Sequence, residues 1–128
     1  MRKEIENWWE QAQKDFEVAE KLLHCDEYYA SAFFCQQAVE KALKATFIKK
    51  NGKSPGQTHS LIYLGTETKI PHSHFSTLQS LTSEFIMTRY PDVAGEAPYK
   101  LYNKEKVAEY ITKAREILLW VQDQIYKQ

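Results

Sequence analysis

Phe33-Phe34-Cys35-Gln36-Gln37-Ala38-Val39-Glu40-Lys41-Ala42-Leu43-Lys44-Ala45 is the stretch whose reading decides the fold. It holds no Gly, no Pro and one β-branched residue, so helix propensity is high throughout. At 100° per residue, Phe34, Ala45, Ala38, Ala42, Cys35, Val39 and Leu43 fill an apolar arc of about 180°. A surface helix shows a narrower stripe, so this one is expected to touch two or three others, its alanines letting them come close. The opposite strip carries Gln36, Gln37, Glu40, Lys41 and Lys44, with Phe33 in its middle. Phe33 there has two readings: a lid over the bundle edge, or part of an interface or ligand groove.

Working outward, Ile5, Trp8, Trp9, Ala12, Phe16, Ala19 and Leu23 share one face and predict a helix over residues 4–24. Asp26 is placed to cap the next helix, over residues 27–50, and so short a turn makes the two antiparallel neighbours. Lys49, Lys50 and Gly52 give that second helix a favourable end. After a loop at 51–57, Thr58 or Ser60 can cap a short helix with Leu61, Ile62 and Leu64 that Gly65 is expected to stop. Ser73 is a candidate cap for a one-sided helix with Phe75, Leu78, Leu81, Thr82, Phe85 and Ile86, ended by Pro91. The segment 91–102 reads as a loop packed onto the bundle. Asn103 then caps a last helix whose core face is Val107, Tyr110, Ile111, Ala114, Ile117, Leu118, Val121 and Ile125. Ala108, Leu119 and Tyr126 form a second stripe on it, to be covered either by a second copy of the chain or by the 91–102 loop. No segment alternates with period two, so the expected class is all-α: an up-and-down bundle of four long helices plus one short helix, with no β-sheet. A chain of 128 residues is expected to form a single domain over 1–128.

Composition narrows the function classes. Lys+Arg and Asp+Glu stand at 17 each, so no global charge points to nucleic acid or a membrane. Locally, residues 1–29 hold eight acids against four bases, and residues 30–60 one acid against five bases. The run Lys49-Lys50-Asn51-Gly52-Lys53 is at most a mild anion-attracting patch. Cys25 and Cys35 make no disulfide framework and no metal-ligand spacing. There is no apolar run of membrane-spanning length and no signal-peptide core, so the cytoplasm is the expected compartment.

Arg89 is the most informative residue for chemistry. Continuing the fourth helix to its end aligns Arg89 with Leu78, Thr82 and Phe85, toward the mouth of the bundle. An always-charged group there needs a carboxylate, carbonyls or an anionic ligand. Asp92 and Glu40 are the candidate partners, and an anion-binding arginine is the other reading. His59 follows Thr58 at a helix start, where an imidazole can simply bond the loop backbone. His24, His72 and His74 have no metal-ligand spacing, and no phosphate loop or nucleophile elbow is present.

Three stretches together resemble the HEPN domain family: Ala32 to Ala45, Thr58-His59-Ser60-Leu61, and Arg89-Tyr90-Pro91-Asp92. Their order and separation are similar to that family's pattern over nearly the whole chain. The resemblance implies a helical bundle that is commonly dimeric, often encoded beside a minimal nucleotidyltransferase and acting as a toxin–antitoxin or similar two-component system. Many family members resemble metal-independent RNases with an arginine followed four to six residues later by a histidine. Here positions 94, 95 and 96 are Ala94, Gly95 and Glu96, so that motif is incomplete.

The leading expectation is therefore a homodimeric module that binds a nucleotide or other phosphate-bearing ligand and works with a nucleotidyltransferase partner, without a cofactor or metal and with no catalytic residue assigned. Arg89 would contact phosphate, Asp92 would orient it, and Tyr90 would offer a stacking face or hydroxyl. Lys41 and Lys44 would add positive charge on the strip that carries Phe33. The alternatives are an RNase toxin, active or degenerate, with RNA as partner, and a purely structural protein-interaction domain.

Overall fold

A computed structural model describes residues 1–127. Among them seven α-helices follow one another: α1 (Lys3–His24), α2 (Tyr28–Asn51), α3 (Leu61–Thr68), α4 (Phe75–Thr82), α5 (Glu84–Met87), α6 (Pro91–Ala94) and α7 (Lys104–Tyr126). Short 3-10 turns cover His72–His74 and Pro98–Leu101, and no strand occurs among the described residues. The chain is an all-α, up-and-down bundle, as its periodicities predict. α2 is its centre, packed against α1 along most of its length and also against α7, α3, α4 and α5.

The central position of α2 has a consequence beyond its apolar arc. Ala32, Cys35, Val39, Ala42 and Leu43 are buried, and so are Ser31, Gln36, Glu40, Lys44 and Thr46. The strip expected to be an open polar face is largely inside. Ser31 accounts for itself by donating to the carbonyl of Ala19 on α1 at 2.7 Å.

Several boundaries move for identifiable reasons. Asp26 does not cap α2; it takes a left-handed conformation (φ 62°), which Asp tolerates, and accepts a hydrogen bond from the Tyr28 hydroxyl. Gly65 does not stop α3. It lies inside the helix, where an added Cβ would run into Leu78, so its role is to let α4 come close; Lys69, at φ 60°, closes the helix instead. Ser60 caps α3, accepting from the Tyr63 amide at 3.1 Å, and Asn103 caps α7, accepting from the Lys106 amide at 2.9 Å. The expected cap Ser73 lies inside the 3-10 turn that leads into α4.

The fourth long helix is interrupted at Ser83, and its second piece, α5, ends at Met87, well before Pro91. Thr88 bonds back to the Glu84 carbonyl at 2.6 Å, and Pro91 opens α6 from its first position. In this segment the inward side chains are Leu81, Glu84 and Thr88, while Ile86 faces out. The face predicted from Thr82, Phe85 and Ile86 is thus rotated by one residue. Tyr102 follows the second 3-10 turn and is buried, its hydroxyl donating to Glu84 Oε1 at 3.0 Å, which fixes the 91–102 segment to the core.

Candidate functional site

Arg89 stands on the turn after α5 and is exposed. Its Nε donates to the Phe85 carbonyl at 2.8 Å, and its Cζ lies 4.1 Å from the Phe85 ring centroid, 5.1 Å from that of Tyr90 and 5.5 Å from that of Phe33. Three aromatic faces thus hold the guanidinium, by cation–π attraction and by limiting its rotamers. Neither expected ion pair forms. Asp92 is exposed in the first turn of α6, and Glu40 is engaged elsewhere. The helix ends before Arg89, so the arginine is exposed on a turn instead of lying along the inward face.

The other predicted residues divide. Phe33 is half-buried, edge-on to Phe34 with centroids 5.4 Å apart, and lies beside Phe85 and Arg89, so this part of the α2 strip does meet the arginine. Tyr90 is exposed beside it. Lys41 and Lys44 do not point toward Arg89's ligand space as expected, because each is spent on an internal carboxylate. Lys41 pairs with Asp15 of α1 and donates to Gln37 at 3.3 Å. Lys44, 4% exposed, donates to Glu40 at 3.1 Å and lies over the Trp8 ring.

Its sequence context suggested that His59 bonds the loop backbone; in the structure it joins the site through two side-chain contacts. Its Nδ1 lies 3.0 Å from Glu40 Oε1, and its ring stacks on Phe85 at 3.8 Å with a 16° interplanar angle. The His59 side chain is 48% exposed while that of Glu40 is 4% exposed. Gln36 also donates to Glu40 Oε1, at 3.0 Å, so one buried carboxylate collects donors from Gln36, Lys44 and His59. Gln36, Glu40 and Lys44 are spaced four apart, one above another on α2, a spacing that a surface helix would show equally. The network runs further, through Gln37 to Lys41 and Asp15, and on to Gln11 of α1.

Arg89 also lines a groove of about 400 Å³ together with Thr88, Tyr29, Tyr99, Asp26 and Glu27. Among the described residues, no group of three His, Cys, Asp or Glu side chains could hold a metal ion, and no helix is long and apolar enough to cross a membrane.

Residues 5–124 match the sequence model of the HEPN domain. The chain belongs to the HEPN domain family. Among its relatives, a Methanocaldococcus jannaschii protein named "Putative toxin MJ1304" is 33% identical over 127 residues, spanning 88% of this chain and 82% of that protein. Two crystal structures share the HEPN fold. TT1696 from Thermus thermophilus superposes with a TM-score of 0.86 at 27% identity, covering 96% of this chain and 99% of that one. ST0689, described as an archaeal HEPN homologue, superposes with a TM-score of 0.79 at 30% identity, covering 97% and 99%.

Proposed function

We propose that this HEPN domain is the toxin-type member of a two-component, toxin–antitoxin-like system, and that Arg89 anchors a phosphate-bearing ligand, a nucleotide in the first instance. The observation that carries the reading is the Arg89 guanidinium itself: always charged, oriented by Phe85, Phe33 and Tyr90, and paired with no carboxylate among the described residues. Similarity to a relative named as a toxin supports the system-level part. Tyr90 supplies a stacking face, and Asp92, exposed nearby, takes no part in holding the arginine. Lys41 and Lys44 have no place in the ligand contact, since their charges are already balanced inside. The partner is a minimal nucleotidyltransferase, and the domain associates with a second copy through Leu119 and Tyr126 of α7, which are 60% and 56% exposed and lie uncovered by the 91–102 segment.

Titrating ATP and GTP against the protein and its Arg89→Ala variant tests the site. Arg89→Ala should weaken binding at least tenfold, the usual scale for a charge-assisted contact. Equal binding by the two proteins, or none by either, removes Arg89 from this role. Growth arrest on expression, relieved by the co-expressed neighbouring nucleotidyltransferase, tests the system.

A second reading, metal-independent RNA cleavage, has one observation in its favour: an imidazole, His59, on the same Phe85 ring as the arginine. Degradation of total RNA that persists in chelator and disappears in Arg89→Ala would select it.

A further inference from the structure

Arg89 shares its groove with two carboxylates and pairs with neither. Asp26 and Glu27 line the same space of about 400 Å³, and among the described residues none of the three side chains forms an ion pair. Asp26 is partly spent, since it accepts from the Tyr28 hydroxyl at 3.0 Å. Glu27 is exposed and gives α2 no side-chain cap, so its two oxygens are uncommitted. An acid at that position suits the dipole of α2, but the dipole does not use up its hydrogen-bonding capacity. A guanidinium and a carboxylate that line one groove without neutralising each other leave it an anion-binding group and a group that only accepts. The remaining walls are flat and apolar. Tyr29 and Tyr99 are 38% and 61% exposed, neither ring is paired with another among the described residues, and Pro98 adjoins them in the lining.

We infer that this groove takes a guanine nucleotide, with its phosphate on Arg89, its base against Tyr29 and Tyr99, and the Watson–Crick edge of the base on Glu27. The inference rests on the phosphate reading of Arg89 and adds the identity of the base. Guanine carries two parallel donors on that edge, N1–H and the 2-amino group, and they match the two oxygens of one carboxylate as the fork of a guanidinium does. Adenine sets the bare N1 beside its amino group, so a carboxylate that can only accept would face a lone pair. Cytosine and uracil likewise offer one donor group with an acceptor beside it. Stacking on tyrosine tolerates any base, so Tyr29 and Tyr99 supply affinity and the discrimination falls to Glu27.

Calorimetric titration with GMP, IMP and AMP decides the matter, since the monophosphates differ only in the base. GMP should bind at least tenfold more tightly than AMP, the scale of a hydrogen bond to a charged group. IMP, which keeps N1–H and lacks the 2-amino group, should fall between them. Glu27→Gln should bring GMP close to AMP and leave AMP unchanged. Tyr99→Ala and Arg89→Ala should each weaken GMP and AMP alike, by about tenfold. Equal binding of GMP and AMP by the wild type, with Arg89→Ala weaker for both, would overturn the guanine assignment and leave the phosphate anchor standing. A GMP preference that survives Glu27→Gln would overturn the role given to Glu27. Binding of none of the three would overturn both this inference and the reading it rests on.

Discussion

The Tyr102 hydroxyl donates to Oε1 of Glu84 across 3.0 Å, and Oε2 of the same buried carboxyl has no hydrogen-bond partner among the described residues. Burial pushes the Glu84 carboxyl above its ordinary 4.5, and the Tyr102 bond offsets this only in part. The unfolded chain releases this proton near 4.5, while the fold retains it to higher pH. Stability is therefore fully present below the unfolded value and lost as pH rises through the raised folded value. Glu84→Gln keeps the shape and removes the ionisation. Its urea midpoint should gain on the wild type from pH 4 to pH 8, and a difference that stays constant across pH 4, 6 and 8 would contradict the linkage.

Lys44 and Glu40 make a second, charged pair in the interior. Lys44→Met leaves Glu40 with only Gln36 and His59 and should cost about 3 kcal/mol, because one partner of a buried pair is stranded. Replacing both, as Glu40→Met with Lys44→Met, should recover most of that loss. Chemical denaturation of the three proteins measures it, and a double variant no better than the single would show that the network beyond the pair carries the stability.

Gly65→Ala should destabilise by about 1–2 kcal/mol. The new methyl would collide with Cδ1 of Leu78 and lie 3.3 Å from Cγ2 of Ile70, and both neighbours are packed in the core. Overpacking of about 1–3 kcal/mol exceeds the helix-propensity gain of up to about 1 kcal/mol. A thermal midpoint at or above that of the wild type would mean that Leu78 has another rotamer available.

The two cysteines should react very differently. Cys25 is exposed; Cys35 is buried, and burial also pushes its thiol up, so little thiolate forms. A disulfide reagent should therefore label one thiol per chain rapidly and the second only on unfolding. Prompt labelling of both would mean that α2 opens in the native state.

Sedimentation tests the α7 face. The wild type should travel as a dimer at micromolar concentration and Leu119→Glu with Tyr126→Glu as a monomer. A monomeric wild type would leave that stripe exposed for a different chain.

The frame was legible in the sequence because α1, α2 and α7 carry their periodicity over many turns and end on strong local signals such as Gly52 and Asn103. The segment after α3 was not, since Ser83 breaks the period and shifts the buried set by one residue to Leu81, Glu84 and Thr88. The early end of α5 likewise leaves Arg89 exposed on a turn instead of on the inward face. Phe33 was readable as an aromatic out of place on a polar strip, and it does adjoin Arg89. His59 was unreadable for a different reason. Its partner Glu40 lies nineteen residues earlier on a face that looks solvated, and only the packing around α2 turns that face inward. A charge-bearing strip spells surface in a pattern of residue types, and nothing short of the tertiary arrangement reveals that Lys44 and Glu40 neutralise each other inside.

The hydrogen-bond chain from Gln11 through Asp15, Lys41, Gln37 and Gln36 to Glu40 makes the first helix a remote constituent of the arginine's surroundings. Transplanting the Thr58–Leu61 segment and the Arg89 turn onto another helical scaffold would bring along the imidazole and the guanidinium while leaving behind what tells the imidazole which way to face. Recombination between relatives should respect this boundary: a crossover between α1 and α2 would mismatch a wiring that neither helix encodes alone.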